Sequence, residues 1–292
     1  MEALQRAVIS CSVVCYHTHL GVLNRLLESV KQSDLKGLKL TVVDNANETE
    51  LQAFCTEKQI GYLNSGANLG YGAGHNLVLR QNKGMAEYHL VLNPDVYFDA
   101  GLLSTLVKTY KNLEQAAMAI PKVRYPNGQI QYLSKRLPTA MDLIGRRFLS
   151  GIFKKWASKQ REVYEMRDMN YETDFCTPTV SGCFMFFSDN LLQQTNGFDE
   201  RFFLYLEDVD FSRRASAYGF NYHLGHLEIY HDYQKSSYKS LKPLWLHISS
   251  AVKYFNKYGW IFDRERHRIN ADYKNKNREL AKQELRKHQG PL

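Results

Sequence analysis

Apolar residues along the first hundred positions alternate between two periods. Residues 8 to 16, VISCSVVCY, form a short β-branched run, and LGVLNRLLESV (20 to 30) repeats its leucines at helical spacing. The pair recurs as LKLTVVDN (38 to 45) with ETELQAFCTEK (48 to 58), and as IGYLN (60 to 64) with HNLVLRQNKG (75 to 84), before YHLVLN (88 to 93) gives a fourth strand. Short apolar strands alternating with amphipathic helices predict an α/β fold built on a parallel, doubly wound sheet. The strand ending VLNPDVYFD (91 to 99) must lose its ladder near Asn93, because Pro94 donates no hydrogen bond and forces its predecessor to be extended.

Beyond Asp95 the pattern loosens. A helix (LLSTLVKTYKNLEQ), a strand (AAMAIPKVRY) and a Pro-Asn-Gly turn with a hairpin precede a segment without clear period. TVSGCFMFFS (179 to 188) is a further buried strand, LEDVDFSRRASAYG (206 to 219) an amphipathic helix closed by glycine, and NYHLGHLEIYHD a last strand pair. KPLWLHISSAVKYFNKYGW has helical aromatic spacing, and the final twenty or so residues are polar, basic and prone to fray.

Composition narrows the class. With 292 residues and 44% hydrophobic content the chain buries a substantial core, and no low-complexity tract suggests disorder. No apolar run reaches the roughly 20 residues that span a bilayer, and the start carries no cleavage signature, so a cytosolic protein is expected. The five cysteines lack CxxC spacing, which argues against a disulfide framework or a zinc site. The net charge of +8 is unevenly placed: GRRFLSGIFKKWASKQR (145 to 161) holds six basic residues and no acid, and Lys253 to His288 is also basic. Nucleic acid or an anionic membrane face would each suit such segments.

Candidate chemistry follows the strand ends, where open α/β sheets bind ligands. Asp44-Asn45 is either a ligand for a base or ribose, or an Asx turn before a helix. In NLGYGAGHN (68 to 76), Gly70, Gly72 and Gly74 precede a helix and make either a phosphate loop or a flexible turn; the spacing is not the dinucleotide GxGxxG. CYHTHLG after the first strand also lacks that fingerprint, which leaves a dehydrogenase as the weaker third reading. Asp208 and Asp210 cannot share a helix face, whereas Glu207 and Asp210 can; an acidic helix start that complements the dipole is the plain alternative. His226 and His231 are either packed aromatics or ligands.

Taken in order, VVDNANE, NLGYGAGHN, LNPDVYF, SGCFMFF, NGFDERFFLYLEDVDFSRRASAYGF and IYHDYQKSS resemble glycosyltransferase family 2, the inverting GT-A enzymes, and most closely its bacterial rhamnosyltransferases of O-antigen and surface polysaccharide assembly. The resemblance implies a GT-A domain over residues 1–237, with a basic amphipathic insertion at 143–165 and a basic helical extension at 238–292. It implies that Asp44 and Tyr16 bind the donor's base and that Asn68, Gly70, Gly74, Asn76 and Asn93 line the nucleotide sugar. By the same likeness Asp95 and His231 hold Mg²⁺ or Mn²⁺, with Asn93 standing where many members have the first Asp of DxD, Asp208 is the catalytic base, and Glu207 orients the acceptor. The implied donor is a nucleotide sugar, dTDP-rhamnose first, and the implied acceptor is an undecaprenyl-diphosphate-linked oligosaccharide. The enzyme would then work at the inner face of the cell membrane. In that setting RRFLSGIFKKWASKQR reads as an interfacial helix, and nucleic-acid binding loses its support because no recognition fold is visible. Another UDP- or dTDP-sugar, or a catalytically silent glycan-binding protein on the same fold, are the competing readings.

Overall fold

In the computed structural model, residues 7–145, 154–233 and 241–289 are described. The first hundred residues form the expected units: β1 (Ala7–Cys15), α1 (Leu20–Lys31), β2 (Leu38–Asp44), α2 (Thr49–Glu57), β3 (Gly61–Asn64), α3 (Tyr71–Asn82) and β4 (Ala86–Leu92). β1 lies between β2 and β4, and β2 carries β3, all in parallel. β1 buries both faces, which is why its sequence is a continuous apolar run. Helix α3 starts four residues earlier than expected, so Gly72 and Gly74 lie within its first turn and Gly70 is its N-cap. Gly74 is required by packing: a Cβ there would come within 2.9 Å of Val14 on β1.

β4 ends at Leu92, as Pro94 requires. The chain then turns into the two-residue β5 (Val96–Tyr97), continues through α4 (Leu102–Asn112) and β6 (Ala116–Arg124), and makes the hairpin-like turn around Gly128, with an Arg124–Ile130 bridge. A π turn (Met141–Gly145), α5 (Lys154–Tyr164), β7 (Phe175–Cys176), β8 (Phe184–Ser188), α6 (Asp189–Thr195) and α7 (Glu207–Ala215) lead to β9 (Phe220–His231). The expected strand pair at NYHLGHLEIYHD is this one strand, kept continuous by a register break against β6 between Pro121 and Lys122. The sheet runs β3-β2-β1-β4-β8-β6-β9-β5, with β7 also on β9, and becomes mixed where β8 joins β4 antiparallel.

Two helices follow, α8 (Leu241–Tyr258) and α9 (Arg264–Gln289). The expected frayed tail is an ordered helix. Tyr254, Phe255, Ile269 and Tyr273 enter the main core, and the Arg213–Asp263 pair is buried at 2.6 Å beneath the turn joining the helices. Of the basic segment at 145–161, residues 146–153 lie outside the described residues, as do residues 234–237 of IYHDYQKSS; the rest of the basic segment is helical in α5. Among the described residues no helix is long and apolar enough to cross a membrane.

Candidate active site

The carboxyl ends of β1, β2 and β4 open on one edge, and backbone pairing fixes what gathers there. β5 pairs antiparallel with β9 so that Val96 lies opposite His231, and Asp232 N donates to Asp95 O at 2.9 Å. Asp95 and His231, 136 positions apart in sequence, are thereby neighbours, with Asp95 Oδ1 3.2 Å from His231 Nε2. The Asn93 amide also reaches Nε2, at 3.3 Å. On the far side of the imidazole, Gln131 accepts from Nδ1 at 3.0 Å while its own amide nitrogen donates to the carbonyls of His231 and Arg124. Those two donations fix which end of the Gln131 amide meets the ring, so Nδ1 carries a proton and Nε2 is the ring nitrogen that faces Asp95.

The donor set fits a divalent cation. Asp95 Oδ1 is buried without a hydrogen-bond partner, and the Nε2 edge of the His231 imidazole faces it. Two converging protein ligands leave room for phosphate oxygens and water, and a ligating histidine whose other nitrogen is held by an amide is the usual outer-shell arrangement. Among the described residues no group of three or more histidine, cysteine or acidic side chains forms a metal cage, so such an ion would depend on the donor's diphosphate.

Asp208 and Glu207 open α7, after a turn in which Tyr205 (φ 72°) and Leu206 (φ 66°) both take left-handed backbone conformations. Two consecutive bulky residues there are costly, and such strain persists where the surroundings impose it. Those surroundings are specific. Asp210, fully buried one turn along, binds Lys257 at 2.5 Å, Tyr258 at 2.7 Å and Arg214 at 2.8 Å, which places its carboxylate on the α8 side. Asp208 points the other way and accepts from Gly182 N at 3.0 Å. The shared face forbidden to Asp208 and Asp210 is indeed not shared.

The SGC segment ties these halves together. Cys183 O accepts from Asn93 N at 3.0 Å, while the adjacent Gly182 binds Asp208 through its N–H and Tyr71 through its carbonyl. The Cys183 thiol is pushed up to about 12 by burial and by the negative charges of Asp95 and Asp208 on either side of it. Glu207 is buried beside Asp208 with Oε2 unpartnered, and burial first, then the Asp208 charge, raise its carboxyl well above the usual range. The site thus holds a partly buried acid, Asp208, at the positive end of α7, beside a buried one, Glu207, that holds its proton more tightly than an ordinary carboxyl.

The rest of this edge is built from the β1 and β2 ends and the glycine segment. Tyr16 is half exposed, with its ring 4.3 Å from that of His17, and His17 reaches Glu48 at 2.9 Å. Asp44 is fully buried, and its two oxygens accept from the N–H groups of Ala46, Asn47 and Glu48 and from the Tyr62 hydroxyl. All four acceptor positions are engaged within the chain, as an Asx turn before a helix has them. Asn68 is exposed and accepts from Gly70 N. Gly70 has φ +86°, and a Cβ there would lie 2.2 Å from Phe203 O, so the loop can close on the segment before α7 only as glycine. Asn76 is also internal, its amide clasping Phe198 N and O and Glu200. His226 is elsewhere, paired with Asp174 and Thr109. Tyr71, Gly182 and Gln131 were not singled out from sequence; the first two stand inside quoted motifs, whereas Gln131 carries no local signal.

The glycosyl transferase family 2 pattern matches residues 10–192. The chain belongs to glycosyltransferase family 2. It is 26% identical over 208 residues to an N-acetylglucosaminyl-diphospho-decaprenol L-rhamnosyltransferase of Mycobacterium tuberculosis, covering 68% of this chain and 67% of the relative. It is 26% identical over 269 residues to rhamnosyltransferase WbbL of Escherichia coli K12, covering 89% and 97% respectively. Among solved structures, residues 1–349 of S. aureus TarS align with a TM-score of 0.57 at 17% identity, over 92% of this chain and 71% of TarS. A GalNAc-T7 structure containing UDP, GalNAc and Mn²⁺ aligns at 0.60 and 10% identity, over 85% and 48%. This glycosyltransferase therefore has the GT-A fold, with the mixed sheet and C-terminal helices described above.

Proposed function

We propose that this glycosyltransferase moves L-rhamnose from dTDP-rhamnose to a hydroxyl of a polyprenyl-diphosphate-linked glycan, of the undecaprenyl type, with inversion, while resting on the inner face of the cell membrane. The observation that supports the reading is the shared anchor of Asp208 and the Asn93–Asp95 turn on the SGC segment: Gly182 N donates to Asp208, and Cys183 O accepts from Asn93 N. The names of both rhamnosyltransferase relatives support the sugar, and that of the Mycobacterium tuberculosis relative supports a polyprenyl-diphosphate-linked acceptor.

Asp208 accepts the proton of the acceptor hydroxyl as that oxygen forms its bond to the anomeric carbon from the face opposite the leaving group. The bond between the sugar and the diphosphate breaks with its electron pair going to the nucleoside diphosphate. Glu207, held neutral, donates a hydrogen bond to the acceptor and orients it. Tyr16, Asn68 and Gly70 face the donor, Asp44, Gly74 and Asn76 hold the loops that do so, and Asn93 borders the sugar. Mg²⁺ or Mn²⁺ bound by Asp95 and His231 would offset the charge that develops on the diphosphate.

A thermal-shift screen of nucleotide sugars with and without Mn²⁺ tests the donor, and turnover of Asp208→Asn tests the base. Stabilisation by dTDP-rhamnose beyond dTDP is expected. Asp208→Asn should keep that stabilisation and lose about 100- to 10,000-fold in rate. Stabilisation by a different UDP- or dTDP-sugar would reassign the donor. Glycan binding without transfer from any donor would replace the enzyme by a glycan-binding protein.

A further inference from the structure

The turn between α8 and α9 is apolar and outward-facing. Ile261 is 76% exposed and Phe262 90%, beside the partly exposed Trp260, and Trp245 on α8 is 68% exposed. Large apolar side chains at such exposure, adjacent in sequence, are unusual on a soluble surface. The turn is also held firmly. Gly259 takes φ +104°, and a Cβ there would lie 2.9 Å from Phe262 O; Trp260 is fastened by its indole N–H to Asn256 and by its ring to Phe255. At the other end Asp263 is buried, paired with Arg213 through both oxygens at 2.6 and 2.7 Å, and accepts from Arg266 N. A buried, bidentate ion pair directly behind Phe262 fixes the base of the turn and leaves Ile261 and Phe262 facing water.

Charge points to the occupant. Residues 241–289 contain twelve lysines and arginines against five acids, an excess of seven within a chain whose total is +8. Arg264, His267, Arg268 and Lys274 are exposed on α9 beyond the turn. Apolar side chains with flanking cations and two tryptophans match the interface of an anionic bilayer, where aromatic rings sit at headgroup depth and each nearby cation adds attraction. The surface is connected to the site as well: on α8, Ser250 binds Leu204 O and Lys253 binds Arg201 O, both in the segment leading to Glu207 and Asp208.

We infer that the α8–α9 turn, Trp260-Ile261-Phe262, together with the cations of α9 next to it, is a docking surface for anionic lipid that brings the segment leading to Glu207 and Asp208 to the membrane. This deepens the lipid-linked acceptor reading, yet its test needs neither donor nor acceptor. The full chain would be sedimented with phosphatidylcholine vesicles and with vesicles containing one-quarter phosphatidylglycerol, alongside an Ile261→Ser/Phe262→Ser variant and an Arg264→Gln/Arg268→Gln variant. Binding to the anionic vesicles is expected, with a drop of at least about tenfold in partitioning for the apolar double variant. The charge variant should bind more weakly and lose salt dependence, and the melting temperatures of both should stay near that of the parent. Partitioning unchanged in Ile261→Ser/Phe262→Ser, equal binding to neutral vesicles, or no binding at low salt would each overturn the inference. So would parent dimerisation, by light scattering, that the apolar variant abolishes without any effect on vesicle binding; that result would assign the surface to a second copy of the chain. A failure in this assay leaves dTDP-rhamnose stabilisation and transfer untouched, so the two readings fall separately.

Discussion

At the residue scale, the half-DxD arrangement places unusual weight on His231. Asn93 brings no charge, so a cation between Asp95 and the imidazole meets a single carboxylate, and the direction of the Nε2 lone pair becomes decisive. Gln131 sets that direction from the opposite side of the ring. Gln131→Leu removes the acceptor for Nδ1–H and frees the ring to present the wrong nitrogen, whereas Gln131→Glu still accepts from it. The expected outcome is a 10- to 100-fold weaker Mn²⁺ affinity in Gln131→Leu, of the size seen when outer-shell partners are lost, with substantial recovery in Gln131→Glu. Mn²⁺ titration followed by electron paramagnetic resonance, with dTDP present, measures this directly. Equal affinity in all three proteins would remove Gln131 from the site.

At the scale of elements, α7 is a short helix held by its two ends. A left-handed pair, Tyr205-Leu206, aims its first residues into the cleft, and Asp210 with Lys257, Tyr258 and Arg214 secures it to α8 and to the turn after α6. The same geometry forces Glu207 into a buried place beside Asp208, and that has a thermodynamic consequence. A carboxyl whose folded pKa is raised binds its proton more tightly in the folded chain than in the unfolded one. Its contribution to stability is complete below the unfolded value and is lost as pH rises through the folded one. Glu207→Gln cannot ionise, so melting curves recorded from about pH 4 upward should diverge, the variant gaining on the parent as pH rises. Parallel curves would show that Glu207 is not held neutral.

Period alone made the β-α units legible, because β1, β2 and β4 are buried on both faces and α1 on one. It also set the end of β4 through Pro94. It could not reveal that β5 pairs with β9, which is what carries Asp95 to His231, since a two-residue strand has no period. The order of the motifs brought in the remaining acids through family resemblance. At Asp44 the folded loop adds what neither route shows: the N–H groups of Ala46, Asn47 and Glu48 and the Tyr62 hydroxyl all donate to its carboxylate.

At the scale of the whole molecule, the basic C-terminal helices pack into the main core through Tyr254, Phe255, Ile269 and Tyr273 as well as presenting an exposed face. The composition of α9 reads as a solvated tail because its buried positions are few and several are polar. The Tyr273 hydroxyl accepts from Asn221 N, Lys276 reaches Glu114, and Asn270 brackets Leu137 through both N–H and C=O. Asn277 does the same for Cys176 at 2.6 and 2.9 Å, so its amide takes the place of a further strand at β7. Removing that amide leaves a buried N–H and a buried carbonyl without partners, each costing about 1–3 kcal/mol. Asn277→Ala should therefore lower unfolding stability by about 2 kcal/mol or more, while Lys274→Ala, exposed on the same helix, stays within about 0.5 kcal/mol. Urea unfolding followed by both circular dichroism and tryptophan fluorescence discriminates the possibilities. If α9 is part of the domain, Asn277→Ala shifts one coincident transition; a separate early transition confined to helix signal would make it an independent tail.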